Sequence, residues 1–79
     1  MKANDLREIM VRNHISNNDL STLIDKSPRQ ISNYLSGSQP IPRAEAIMFK
    51  AIDAGLIDID QLLEWVVEEI KEGREEARQ

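Results

Sequence analysis

The segment SNNDLSTLIDKSPRQISNYLSG, residues 16–37, decides the fold of this 79-residue chain. It contains two helix-start signals. Ser16 and Ser27 can each act as an N-cap, and each is followed three residues later by a capping-box partner, Asp19 and Gln30. The final glycine of the segment comes where a left-handed residue usually ends a helix. The segment therefore predicts a helix-turn-helix, with helices over residues 17–24 and 28–36 and a turn at Asp25 and Lys26.

Outside this segment, apolar residues recur at helical rather than at strand spacing. Leu6, Ile9 and Met10 form one such stripe near the N-terminus, where Asn4 is the expected N-cap. A loop with two prolines follows the second helix of the segment, because proline denies the backbone a helix. The chain is predicted to be all-α, with five helices over residues 4–13, 17–24, 28–36, 43–54 and 58 to at least 70.

The length allows one domain, which we expect to span residues 1–72. Its C-terminal helix, 58–72, is a candidate for dimerisation, and residues 73–79 are expected to form a polar tail. Trp65 and Phe49 are expected in the core or at an interface. Tyr34 is expected at the edge of its helix, beside the inward-facing Ile31 and Leu35.

Composition excludes several classes of protein. The chain has no cysteine and a single histidine, so a disulfide framework or a zinc site is not expected. No apolar run approaches the ~20 residues of a membrane helix, and a cytoplasmic protein is expected. No pair of catalytic groups has a recognisable spacing, so we expect neither an enzyme nor a cofactor, a metal or a small-molecule ligand.

Charge is divided unevenly along the chain. The formal net charge is −4 and the sequence pI is about 4.9, which on its own argues against nucleic acid as a partner. However, residues 1–43 carry six basic and four acidic side chains, whereas residues 44–79 carry four basic and ten acidic ones. The half that contains the helix-turn-helix is therefore mildly basic, and the acid is concentrated in the C-terminal half.

The outward face of the second helix of the segment is unusual for a surface helix. Arg29, Ser32, Asn33 and Ser36 recur at helical spacing, and none of them is acidic. Serine and asparagine are mediocre helix formers, so an exposed stripe of them suggests another role. Arginine pairs with guanine, asparagine with adenine and serine with either, so this stripe has the groups that reading a major groove requires.

The segment resembles the helix-turn-helix of phage repressor and Cro proteins, the XRE-like group with a lambda-repressor-like fold of five helices. That pattern has two small polar caps eleven residues apart, apolar residues at fixed offsets and a glycine after the second helix. The likeness extends over roughly residues 5–65. The residues that carry the resemblance are Ser16, Leu20, Ser21, Ser27, Ile31 and Gly37.

The resemblance implies a role for each position. Base edges would be contacted by Pro28, Arg29, Gln30, Ser32 and Asn33. The DNA backbone would be contacted by Ser16, Asn17, Asn18, Ser27, Ser36 and Arg43. A dimer interface would be formed by Leu62, Leu63, Val66, Val67 and Ile70.

The chain departs from the family pattern at three places. The turn residue is Asp25 instead of glycine, and aspartate tolerates a positive φ better than most residues. Met10 and Leu35 replace an ion pair with an apolar contact. Pro28 occupies a position where relatives often have a base-reading glutamine, so base reading would fall on fewer side chains or on an apolar contact with a thymine methyl group.

The function that follows is a sequence-specific transcriptional regulator that binds a palindromic operator in double-stranded DNA as a homodimer. An antitoxin or adaptor that binds a protein partner through its C-terminal helix is the alternative. The acidity of residues 58–76 motivates that alternative.

Overall fold

A computed structural model describes the backbone of residues 1–78 and the side chains of residues 1–73. Within that range the chain is all-helical, and no strand occurs. The predicted all-α class and the five predicted helices are confirmed. Of the predicted polar tail, residues 73–79, the structure describes Gly73 and the backbone as far as Arg78. The rest of the tail lies outside the described residues. The helices are α1 (Ala3–Arg12), α2 (Asn17–Ile24), α3 (Pro28–Ser36), α4 (Arg43–Asp53) and α5 (Ile59–Arg78).

The capping signals at Ser16 and Ser27 begin α2 and α3 as predicted. The Ser16 hydroxyl accepts the backbone N–H of Asp19 at 3.0 Å, and the Asp19 carboxylate accepts the backbone N–H of Ser16 at 3.1 Å. The Ser27 hydroxyl accepts the backbone N–H of Gln30 at 3.2 Å. These bonds satisfy backbone donors that a helix start would otherwise leave unpaired.

Two predicted caps are wrong. The helix α1 begins one residue before Asn4, because the Asp5 carboxylate accepts the backbone N–H of Lys2 at 3.0 Å and makes Lys2 the N-cap. The Gln30 side chain does not return to Ser27. Instead, it donates its amide to the side-chain oxygen of Gln39 in the loop after α3.

The turn between α2 and α3 depends on a left-handed residue. Asp25 has φ 55° and ψ 48°, a conformation that only glycine adopts freely and that aspartate tolerates. Two bonds between Ser21 and Lys26 hold the turn. The Ser21 carbonyl accepts the backbone N–H of Lys26 at 3.1 Å, and the Ser21 hydroxyl donates to the Lys26 carbonyl. The turn survives without the glycine of the family pattern, as the sequence predicted.

The core lies where α1 packs against α3 and α4 and where α2 packs against α3. Its members are apolar apart from one hydroxyl. Tyr34, expected at the edge of α3, is 2% exposed because its hydroxyl finds a partner inside, whereas Leu35 is only half-buried. The buried cluster consists of Leu6, Ile9, Ile15, Leu20, Ile31, Tyr34, Phe49 and Ile52.

Polar contacts join the end of α1 to the end of α4. The Arg12 guanidinium donates to both oxygens of Asp53, at 3.1 and 2.8 Å, and the Asn13 side chain donates to Asp53 at 3.0 Å. These bonds, that from Arg12 above all, hold the pKa of Asp53 below its usual value. Arg12 therefore has a partner within the protein and is not a free surface cation.

None of the described helices is both long enough and apolar enough to cross a bilayer.

Candidate nucleic-acid interface

The outward face of α3 is the first part of the candidate site. Arg29, Ser32 and Ser36 are exposed, and Asn33 is half-buried beside them. The buried side chains of Ile31 and Tyr34 hold the opposite face against the core. The predicted polar stripe is thus on the surface of a helix whose other side is fixed, and α3 contains no acidic residue.

The loop after α3 folds back along the helix. Gly37 ends α3 with φ 81°, and the carbonyl of Asn33 then accepts the hydroxyl of Ser38 at 3.2 Å and the backbone N–H of Gln39 at 3.3 Å. This path brings the Gln39 side chain to that of Gln30. Gln39 therefore adds a second amide beside the predicted base-contacting Gln30.

Sequence reasoning missed Gln39. The two prolines that follow it predict a loop, but they do not predict the direction of that loop. The signal that could have located it is Gly37, because a left-handed helix end reverses the chain over the preceding turn.

Ser32 and Asn17 connect the faces of α3 and α2. The Ser32 hydroxyl donates to the Pro28 carbonyl at 3.1 Å and accepts the Asn17 side-chain amide at 3.4 Å. Asn17 is half-buried, and its side-chain oxygen has no hydrogen-bond partner among the described residues. Asn17 thus lies between the helices, whereas Ser16 and Asn18 are exposed at the start of α2.

Lys26 lies in the turn but is not available as a free cation. Its ammonium group contacts the Glu45 carboxylate at 2.8 Å and the Tyr34 hydroxyl at 2.7 Å, and it lies 5.4 Å from the centre of the Tyr34 ring. The bonds to Glu45 and then to Tyr34 raise the pKa of Lys26 above its usual value. This cluster ties the α2–α3 turn to α4. Its members are distant in sequence, so spacing did not reveal it.

The other described arginines divide into one that is bonded within the protein and two that are not. Arg7 donates to the Leu35 carbonyl at 2.9 Å and so caps the C-terminal end of α3 from α1. The predicted apolar neighbours Met10 and Leu35 pack against the core cluster. Arg29 and Arg43 are exposed, and neither makes an ion pair or a side-chain hydrogen bond within the described residues. Among the arginines whose side chains the structure describes, these two predicted DNA contacts are free to meet a phosphate or a base.

The five predicted dimer residues lie on two different faces of α5. Leu62, Val66 and Ile70 line an apolar groove between α5 and α2, together with Trp65. Leu63 and Val67 line a second, shallower surface with Asp60, Glu64, Glu68 and Lys71. Leu62 also packs against the core cluster, and Trp65 is 52% exposed instead of buried.

Comparison with known proteins adds no relative to this picture. A scan of protein-family models, a search of curated proteins and a search of solved structures each found no match to this chain.

The described side chains contain no group of three or more histidine, cysteine, aspartate or glutamate residues arranged to hold a metal ion.

Proposed function

We propose that this protein is a sequence-specific DNA-binding regulator of the phage repressor and Cro type, with α2 and α3 as its helix-turn-helix. The observation that carries the proposal is the outward face of α3. That face is backed by the buried Ile31 and Tyr34, exposes Arg29 without a partner among the described side chains, and has no carboxylate to repel a phosphate. Its amide, hydroxyl and guanidinium groups match the donors and acceptors of a major groove.

Each part of the interface has its own task in this proposal. The helix α3 enters the major groove, where Arg29 and Asn33 pair with base edges and Pro28 contacts a thymine methyl group. The exposed start of α2, with Ser16 and Asn18, approaches a phosphate, because the first backbone N–H groups of a helix attract anions. Arg43, at the start of α4, neutralises another phosphate.

A homodimer through the second surface of α5 completes the proposal. Leu63 and Val67 supply its apolar centre. An antiparallel pair of α5 helices related by a two-fold axis would bring Lys71 of one copy toward Asp60 of the other, so opposite charges would meet. The half-sites of the operator would then lie roughly 10 bp apart, and a bound dimer would act by excluding polymerase.

The experiment that tests this function is selection of bound sequences from a random pool of duplex DNA, with the full chain and at a stated salt concentration. We expect one enriched motif made of two inverted half-sites. An enriched motif without two-fold symmetry would contradict the dimer, and the absence of any enrichment would contradict DNA reading by α3.

A further inference from the structure

The groove between α2 and α5 is not used by the proposed DNA contacts. Its volume is about 430 Å³, and its apolar lining consists of Leu23, Leu62, Trp65, Val66 and Ile70. Trp65 is 52% exposed and Ile70 is 46% exposed, which is a costly arrangement for large apolar side chains. An exposed tryptophan in an apolar groove is typical of an anchor position in a protein interface.

The rim of this groove is negatively charged. Asp25 lies at its α2 side and Glu69 at its α5 side. The groove also adjoins the last turn of α2, where the backbone carbonyls make the negative end of the helix dipole. The described part of α5 carries five acidic side chains and one basic one, so the surroundings of the groove favour a cationic partner.

From this combination we infer that the groove binds a basic amphipathic helix of another protein, with apolar side chains toward Trp65 and lysine or arginine toward Asp25 and Glu69. From Leu62 to Ile70 the groove extends roughly 12 Å along α5, which corresponds to about two turns of a bound helix. Helices bind such grooves through apolar anchors at helical spacing.

A second copy of this chain and the chain's own last residues fit the groove less well. A second copy bound through the groove would place one acidic rim against the other, because a two-fold interface brings identical patches together, and the described lining of the groove has no basic residue such as the Lys71 of the second surface. The chain's own last residues, REEARQ, contain no large apolar side chain to fill the groove. The inference is independent of DNA binding, since the groove shares no side chain with the proposed DNA contacts.

The test uses Trp65, the one tryptophan of the chain, as the reporter. The probes are two helix-forming peptides of about 14 residues that have the same leucine stripe at helical spacing and lack tryptophan. One carries lysine on its polar face and the other carries glutamate. We expect the lysine peptide to shift Trp65 emission to the blue in a saturable titration and the glutamate peptide to leave it unchanged.

Matched variants of neighbouring residues locate the binding site. Glu69→Lys should weaken binding of the lysine peptide about tenfold, whereas Glu68→Lys, which changes the net charge equally on the other surface, should change it less than about twofold. Ile70→Ser should weaken binding about fivefold and Val67→Ser should not, although both side chains are 46% exposed. Circular dichroism should show that all four variants remain helical.

Three outcomes would overturn the inference. They are the absence of a Trp65 shift with the lysine peptide, an equal shift with both peptides, and an equal loss in the Glu69→Lys and Glu68→Lys variants. A blue shift of Trp65 that rises with protein concentration alone, and that Ile70→Ser abolishes while Val67→Ser does not, would also overturn it, because a second copy would then occupy the groove and not the second surface of α5. Selection of DNA by the same chain is measured separately, so a failure of one proposal does not imply a failure of the other.

Discussion

The helices α3 and α5 expose opposite chemistry on the same small protein. The exposed face of α3 is polar and has no acid, whereas α5 exposes Trp65, Val67 and Ile70 among carboxylates. Neither face is typical of a surface helix without a function, because such helices favour a mixture of strong helix formers such as glutamate and lysine at their exposed positions. The difference teaches that the net charge of −4 averages two surfaces of different chemistry.

The largest effect is expected on the α3 side. The double variant Arg29→Ala/Asn33→Ala should lower the affinity for the selected operator by at least about 100-fold, since each paired side chain contributes about 1–3 kcal/mol of discrimination. The helical circular-dichroism signal should not change. Binding is measured by titration of labelled operator.

Lys50→Ala is the matched control for this double variant. It also removes an exposed basic side chain, but from α4 and outside the proposed interface. We expect it to bind the operator within about threefold of the original protein. Operator binding by the double variant at the level of Lys50→Ala would mean that α3 does not read the bases.

The salt dependence of operator binding tests how many basic side chains are free to contact phosphates. Of the six basic side chains in residues 1–43, Arg7, Arg12 and Lys26 hold bonds within the protein. If a dimer neutralises about four phosphates, the logarithmic salt slope is about −4, and affinity falls about 100-fold between about 50 and 200 mM salt.

Arg43→Ala should make that slope shallower by about two for a dimer, and Lys50→Ala should not change it. A logarithmic salt slope of about −10 in the original protein would contradict the small number of free basic side chains among the described residues, because that slope requires many more neutralised phosphates.

The sequence predicted the helices well because their ends are set by local chemistry. The hydroxyl of Ser16 and the missing side chain of Gly37 act within a turn of their own position, and the structure confirms both. The burial of Tyr34 could not be predicted in the same way. It depends on Lys26 and Glu45, which meet only after α4 packs against the turn.

The candidate site shows the same limit. The polar stripe of α3 follows from helical period, and its exposure is confirmed, whereas its contact with DNA remains a prediction. The approach of Gln39 to Gln30 depends on the direction of a loop. Which face of α5 forms the groove depends on where α2 packs against that helix. Local spacing in the sequence encodes neither the direction of the loop nor the position of α2.

The next largest effect is on protein stability and concerns Asp25, in the turn before α3. Asp25→Val should destabilise the protein by about 1–2 kcal/mol, because a branched side chain at φ 55° collides with the backbone. Asp25→Asn should be nearly neutral, since asparagine also tolerates the left-handed region. Urea unfolding followed by circular dichroism measures both. Equal midpoints for the two variants would mean that the turn does not constrain the direction of α3.

The smallest expected effect is on stability, and it compares the ion-paired carboxylate of Asp53 with that of Glu68, which is unpaired among the described residues. Because the folded pKa of Asp53 lies below its unfolded value of about 3.9, its ion pair with Arg12 stabilises the protein above that pH and is lost as the pH falls through the folded pKa. Asp53→Asn should therefore lower the urea midpoint at neutral pH, and the difference from the original protein should shrink below about pH 4. The effect is modest because the pair is partly exposed to solvent. Glu68→Gln, on α5, should leave the midpoint at neutral pH unchanged, since Glu68 makes no ion pair within the described residues. If Glu68→Gln lowered the midpoint as much as Asp53→Asn, the loss would reflect the removal of any carboxylate charge and not the bond between Asp53 and Arg12.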